Sequence, residues 1–217
     1  MSVNITSWIT EVAPGLRFCP NPLIKREVIK TLRDFCKKTK LWYEQLTAID
    51  IVADTAAYAL SSSNGDVASV KRAEVGDLAI DPIREDVLDR DYTNWRTTTG
   101  NPFAYFVDVS RNINLVYTPA TASTGGLDVW VNLMPTLTAT TVEDFLYDDH
   151  RDIITLGARA RLMAHEDRPW SNAQKAEAYR LQYEAQRDFV RRQSGKMLTP
   201  AVTRQTLRSR ANVISYF

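Results

Sequence analysis

Hydrophobic and polar positions change period twice along the chain. Ile5, Trp8, Ile9 and Val12 recur at helical spacing and predict a short amphipathic helix over 4–13, ended by APGL at 13–16. The stretch CPNPLIKREVIKTLRDFCKKTK, 19–40, predicts a longer one. Asn21 can cap it, and Pro22 suits the first helical position because its missing N–H costs nothing there. Ile24, Val28, Leu32, Phe35 and Cys36 then form one stripe, with Lys and Arg opposite.

From about 44 to 135 the period becomes two. Strands are expected at 45–53, 67–75, 103–109, 113–118 and 127–135. Phe103, Tyr105, Val107 and Val109 would share one face, as would Ile113, Leu115 and Tyr117, while Leu127, Val129, Val131 and Leu133 point inward. The links SSSNGD, SRN and TASTGG carry turn chemistry, so an antiparallel β module is predicted. Within it, 82–95 reads as a short helix or lid. Segment 74–95 is acidic, with seven Asp or Glu against two Arg.

Helix returns from 141. Thr140 and Glu143 have capping-box spacing, and VEDFLYDDH places acid where the helix dipole favours it. Leu146, Ile153, Ile154, Ala160 and Met163 are core candidates, Arg159 and Arg161 are expected to face outward, and Gly157 is expected to permit a close helix crossing. Pro169 should end this helix near Asp167 or Arg168, and Ser171 with Gln174 should start another over 172–193. There Ala176, Tyr179, Tyr183 and Val190 form one stripe, and Ala178, Leu181, Ala185 and Phe189 an adjacent one. The two helices make a hairpin with a short joint, sealed by Trp170. The fold class is therefore α+β: a helical bundle formed by N- and C-terminal helices (4–40 and 141–194), with an inserted antiparallel β module at 44–135. Residues 1–195 form a single domain and 196–217 an extended C-terminal arm.

The arm has no clean period. Lys196, Arg204, Arg208 and Arg210 make it +4 with no acid, and Val213, Ile214, Tyr216 and Phe217 follow. Such a segment cannot build its own core: it is an extended arm, ordered if at all by another surface, with a disordered tail as the alternative.

Composition narrows the chemistry. At 217 residues, 44% hydrophobic and 24% charged, the chain is an ordinary globular one, and its net charge of +1 gives no general affinity for polyanions. Cys19 and Cys36 lack metal-ligand spacing and read as reduced, buried thiols. No basic n-region precedes an apolar run and no run of 18 apolar residues occurs, so neither a signal peptide nor a membrane helix is expected. HEDRPW at 165–170 resembles a small acid/base or metal site, but HExxH would need His at 169, which is Pro. Its other histidine, His150, lies about four turns back on the same predicted helix. A metal hydrolase on Asp148, Asp149, His150 and His165 is the weakest reading. No G-x-S-x-G, Walker or dinucleotide motif occurs, and the aromatics fall in core-like stripes rather than among basic residues. No catalytic, cofactor or metal site is expected.

Taken in order, RFCPNPL at 17–23, LRDFCKKTKLW at 32–42, GNPFAYFVD at 100–108 and ARARLMAHEDRPWSNAQKAEAYRLQYEAQ at 158–186 resemble the head-to-tail adaptor (connector or head-completion) proteins of tailed bacteriophages. The resemblance covers most of 5–193. It implies a structural virion protein, made in the host cytoplasm and located at the head–tail junction. It implies a ring, usually a dodecamer, beneath the portal protein, which extends the DNA channel without sequence-specific contact and docks tail or neck proteins. The arm would engage the portal through Arg204, Leu207, Arg208, Arg210, Val213, Ile214, Tyr216 and Phe217. The alternative is a DNA-binding module that uses the same basic arm.

Overall fold

The computed structural model describes residues 2–197, with side chains through Ser194. The fold is mixed α+β. In chain order the elements are β1 (Ser2–Asn4), α1 (Ser7–Val12), α2 (Asn21–Thr39), β2 (Tyr43–Gln45), β3 (Ile49–Ile51), β4 (Ala57–Ala59), β5 (Asp66–Val75), β6 (Leu78–Pro82), α3 (Glu85–Asp91), β7 (Thr99–Gly100), β8 (Ala104–Val107), β9 (Asn112–Val116), β10 (Thr118–Pro119), β11 (Ser123–Met134), β12 (Thr141–Glu143), α4 (Asp144–Asp148), α5 (Arg151–Met163) and α6 (Ala173–Met197).

The helices pack as their apolar spacing requires. α5 lies against α6 and α2, α2 also touches α6 and β11, and α1 sits on α5 and α2. Trp8, Ile24, Leu32, Phe35, Ile154 and Leu162 are fully or almost fully enclosed in this core. Arg159, expected to face outward, instead turns inward and donates to the Glu11 and Val12 carbonyls at the end of α1. Arg161 is exposed as expected.

Eight strands form one curled sheet in the order β2-β11-β5-β6-β8-β9-β4, with β3 also pairing β11. β11 is its spine, and Leu127, Val129, Val131 and Leu133 are all fully buried. β3 and β4 are consecutive in the chain yet stand at opposite sides of this order. Residues 52–56 therefore join the two ends of the curled sheet, and Asp54 N–H donates to the Pro119 carbonyl of the separate pair β7–β10, 3.0 Å. A second, small core of Leu88, Trp95, Ala104 and Val116 seats α3. α3 is thus a packed helix rather than a lid.

Several expectations are corrected. The module is not wholly antiparallel, because β6 pairs β8 and β7 pairs β10 in parallel. The expected strand 45–53 is two short strands, and β4 and β6 were not foreseen. β5 and β6 form a hairpin on Gly76-Asp77, both at positive φ, the geometry of a two-residue hairpin turn. On β8 the buried residues are Ala104 and Tyr105, whereas Val107 is half-exposed and Val109 fully exposed at the hairpin tip. Tyr117 leaves the alternation of β9 at φ 69. TASTGG is not a free turn, since β11 begins at Ser123.

The N-terminal helix is shorter than its periodicity implied because residues 2–4 pair as a strand with 141–143. That pairing removes the expected capping box: Thr140 precedes a strand, and Glu143 makes no side-chain cap. The helix expected from 141 is thus β12, α4 and α5, with a break at Asp149-His150. α2 begins one residue earlier than expected, with Pro20 at the N-cap and Asn21 already helical. α6 runs to Met197, past the expected arm boundary.

Candidate functional site

The HEDRPWSNAQ stretch builds a corner. α5 ends at Met163, so His165 and Glu166 lie beyond the helix they were expected to finish. Asp167 adopts φ 56, and the Asn172 N–H donates back to the Met163 carbonyl, 3.0 Å. Asn172, rather than Ser171, caps α6: its Oδ1 accepts from the Lys175 N–H at 2.9 Å. Trp170 is buried beneath the turn.

His150 lies at the opposite end of α5, a helix of 13 residues and therefore about 20 Å from His165. Its ring sits 5.0 Å from Phe35 and 6.4 Å from Phe145, an aromatic setting rather than a ligand set. Burial pushes its imidazole below the usual range, against the pull of the Asp149 carboxylate. Among the described residues, no three His, Cys, Asp or Glu side chains converge to hold a metal ion. Cys36 is enclosed and its thiol is pushed up to about 12 by burial; half-buried Cys19 is shifted in the same direction for the same reason. Neither thiol is activated as a nucleophile.

Among the described residues, two surfaces of the α5–α6 hairpin are candidates for binding. The first is a groove of about 540 Å3 between the helices. Ala160, Ala164 and Ala176 line it with small side chains, and Gly157 lies at its base, packed against Tyr183 and Thr31. At one side Tyr183 donates its hydroxyl to Asp34 Oδ2 at 2.8 Å, and Arg187 reaches the same oxygen at 3.1 Å. Burial first, then the adjacent Asp34 carboxylate, raises the Tyr183 hydroxyl far above the usual tyrosine range, so it remains a proton donor. On the rim, Arg180 bridges Glu177 and Glu184, each at 2.7 Å.

The second is the outer face of α6. Ala176 and Tyr183 of the first predicted stripe are buried and Tyr179 and Val190 half-buried. Ala178, Leu181, Ala185 and Phe189 all face solvent, with Leu181 and Phe189 each 54% exposed. These four are the adjacent stripe, so the described chain covers one apolar face of α6 and leaves the other open. The pattern predicted both stripes; only the packing distinguishes them.

The predicted portal-arm residues, Arg204, Leu207, Arg208, Arg210, Val213, Ile214, Tyr216 and Phe217, lie outside the described residues. Near the start of the arm, Ser194 Oγ donates to the Thr39 carbonyl at 2.9 Å, which fixes the last described turn of α6 to the end of α2.

Neither surface carries a catalytic constellation, and comparison with known families supplies the decisive observation. A family model described as SU10 adaptor protein matches residues 7–207. The chain belongs to the SU10 adaptor protein family. It is a bacteriophage head-to-tail adaptor, a structural protein of the virion neck. Membership in this adaptor family implies portal and tail proteins as partners, assembly with further copies, and a place at the head–tail junction. The match spans both α6 surfaces and extends to residue 207. No curated protein matches the chain. No helix among the described residues is long and apolar enough to cross a membrane.

Proposed function

We propose that this adaptor closes a ring, a dodecamer by analogy with similar proteins, between the portal and the tail. The ring extends the DNA channel, passes the genome without sequence-specific contact and docks tail proteins. In this reading α2, α5 and α6 are the rigid bundle of each subunit, the strands between Tyr43 and Glu143 are the module inserted in it, and the protein performs no catalysis. Residues 196–217 engage the portal through Arg204, Leu207, Arg208, Arg210, Val213, Ile214, Tyr216 and Phe217. The carrying observation is the family match over 7–207. The open stripe on α6 supports self-assembly, because a ring needs a heterologous contact that one subunit leaves unsatisfied. Arg suits the arm because its guanidinium pairs bidentately with carboxylates on an acceptor.

The test is electron microscopy of particles that carry either the full chain or a chain lacking 196–217. The full chain should appear as a ring at the portal vertex. The deletion should give filled heads without adaptor or tail; tail-bearing particles of normal appearance would overturn the role of the arm.

A further inference from the structure

We propose that, before assembly, residues 204–217 occupy the α5–α6 groove of their own subunit. The inference does not depend on the arm's role at the portal.

Size and chemistry match. The groove's volume of about 540 Å3 lies within the roughly 300–1,000 Å3 of pockets that enclose a small ligand, so it admits large side chains from the end of the arm while the arginines upstream stay at its mouth. The small side chains of Ala160, Ala164 and Ala176 leave room for large apolar groups, and residues 213–217 supply Val213, Ile214, Tyr216 and Phe217. The lining carries four carboxylates, Asp34, Glu166, Glu177 and Glu184, against the guanidiniums of Arg161, Arg180 and Arg187. Asp34, Glu177 and Glu184 already hold internal partners. Glu166 is exposed at the mouth and has no ion-pair partner among the described residues, so it can accept an incoming guanidinium. Residues 198–217 bring Arg204, Arg208 and Arg210 and no acid.

Reach also matches. The groove runs along α6 from Ser171 to Arg187, so its far end lies about 40 Å back from Met197. The 20 residues 198–217 span up to about 65 Å when extended. Tethering at this length gives an effective concentration in the millimolar range, so contacts too weak for a free peptide still fill the groove. The occupied groove would keep the apolar residues 213–217 from water until an acceptor competes for them.

The test uses the full chain. Ala164 lines the groove yet is solvent-exposed, so Ala164→Trp fills the groove without entering the core. Limited trypsin digestion, read by mass spectrometry, should cleave after Arg204, Arg208 and Arg210 about tenfold faster in A164W than in the unmodified protein. Circular dichroism checks that the fold is kept. Equal cleavage rates in a folded A164W protein would overturn the proposal. As a second measurement, Ser215→Cys with Ala164→Cys should form a disulfide within one subunit, independent of protein concentration. Ser215→Cys alone controls for reaction with Cys19. Absence of the 164–215 bond, or its formation only between copies, would equally overturn it.

Discussion

Gly157 and Tyr183 are in direct contact across the α5–α6 crossing. A Cβ at Gly157 would stand 2.8 Å from Tyr183 Cδ2 and 2.5 Å from Thr31 Cγ2. Neither neighbour can retreat easily: Tyr183 is held by Asp34, and the Thr31 hydroxyl donates to the Glu27 carbonyl at 2.8 Å. Overpacking of this kind costs about 1–3 kcal/mol, and the gain in helix propensity from Gly to Ala returns about 1 kcal/mol. Gly157→Ala should therefore lower the melting temperature by a few degrees, and Gly157→Val by considerably more. A G157A protein at least as stable as the parent would show that the crossing has slack.

Asp34 is the acceptor on which Tyr183 and Arg187 converge, and it ties α2 to α6. Removal of its carboxylate leaves a buried hydroxyl and a guanidinium whose side chain is only 15% exposed without that partner. Asp34→Ala should cost about 2 kcal/mol in urea denaturation, and Asp34→Asn less, because the amide oxygen still accepts from Tyr183. If D34N and D34A unfold at the same urea concentration, the hydrogen bond to Tyr183 contributes nothing measurable.

Long, strongly periodic segments were legible in the sequence. The core stripe of α2 and the inward set of β11 lie where the spacing put them, because burial on one side imposes a period that propensity alone does not. β6 was hidden: LAIDP buries only Ile80 and sits in an acidic run, so it carries almost no alternation. Its one local signal was Gly76-Asp77, a pair suited to a hairpin turn. The break in the 141 helix was hidden for another reason. Residues 141–143 have helix-start chemistry, but pairing with residues 2–4 overrides it, and that partner is about 140 residues away in the chain. The HED stretch does lie at the corner between α5 and α6, although Asn172 takes the capping role expected of Ser171. As for the surfaces, one α6 stripe reads like the other until the packing shows which is covered.

Acid should weaken the fold through His150. Burial between Phe35 and Phe145 holds its folded pKa below the ordinary value of about 6.5. The unfolded chain therefore binds a proton more readily than the folded one. The associated stability is complete above that ordinary value and is lost as pH falls from it through the lower folded pKa. Thermal melts at constant ionic strength should fall between about pH 7 and pH 5, before most carboxylates titrate. His150→Phe should flatten this slope, and an unchanged slope would show that His150 is not its source.

The exposed stripe of α6 separates folding from assembly. Leu181 and Phe189 project from the face opposite the core, so their replacement removes little packing within the subunit. The double variant Leu181→Ser, Phe189→Ser should change unfolding free energy by at most about 1 kcal/mol. If the stripe lies in the ring contact, its loss falls at the apolar centre of an interface, where a few residues carry most of the binding energy. Light scattering and negative-stain images of the purified variant should then show monomer under conditions where the parent forms rings, and particles carrying it should lack the neck ring. A folded variant that still forms rings would place the subunit contact elsewhere on the molecule.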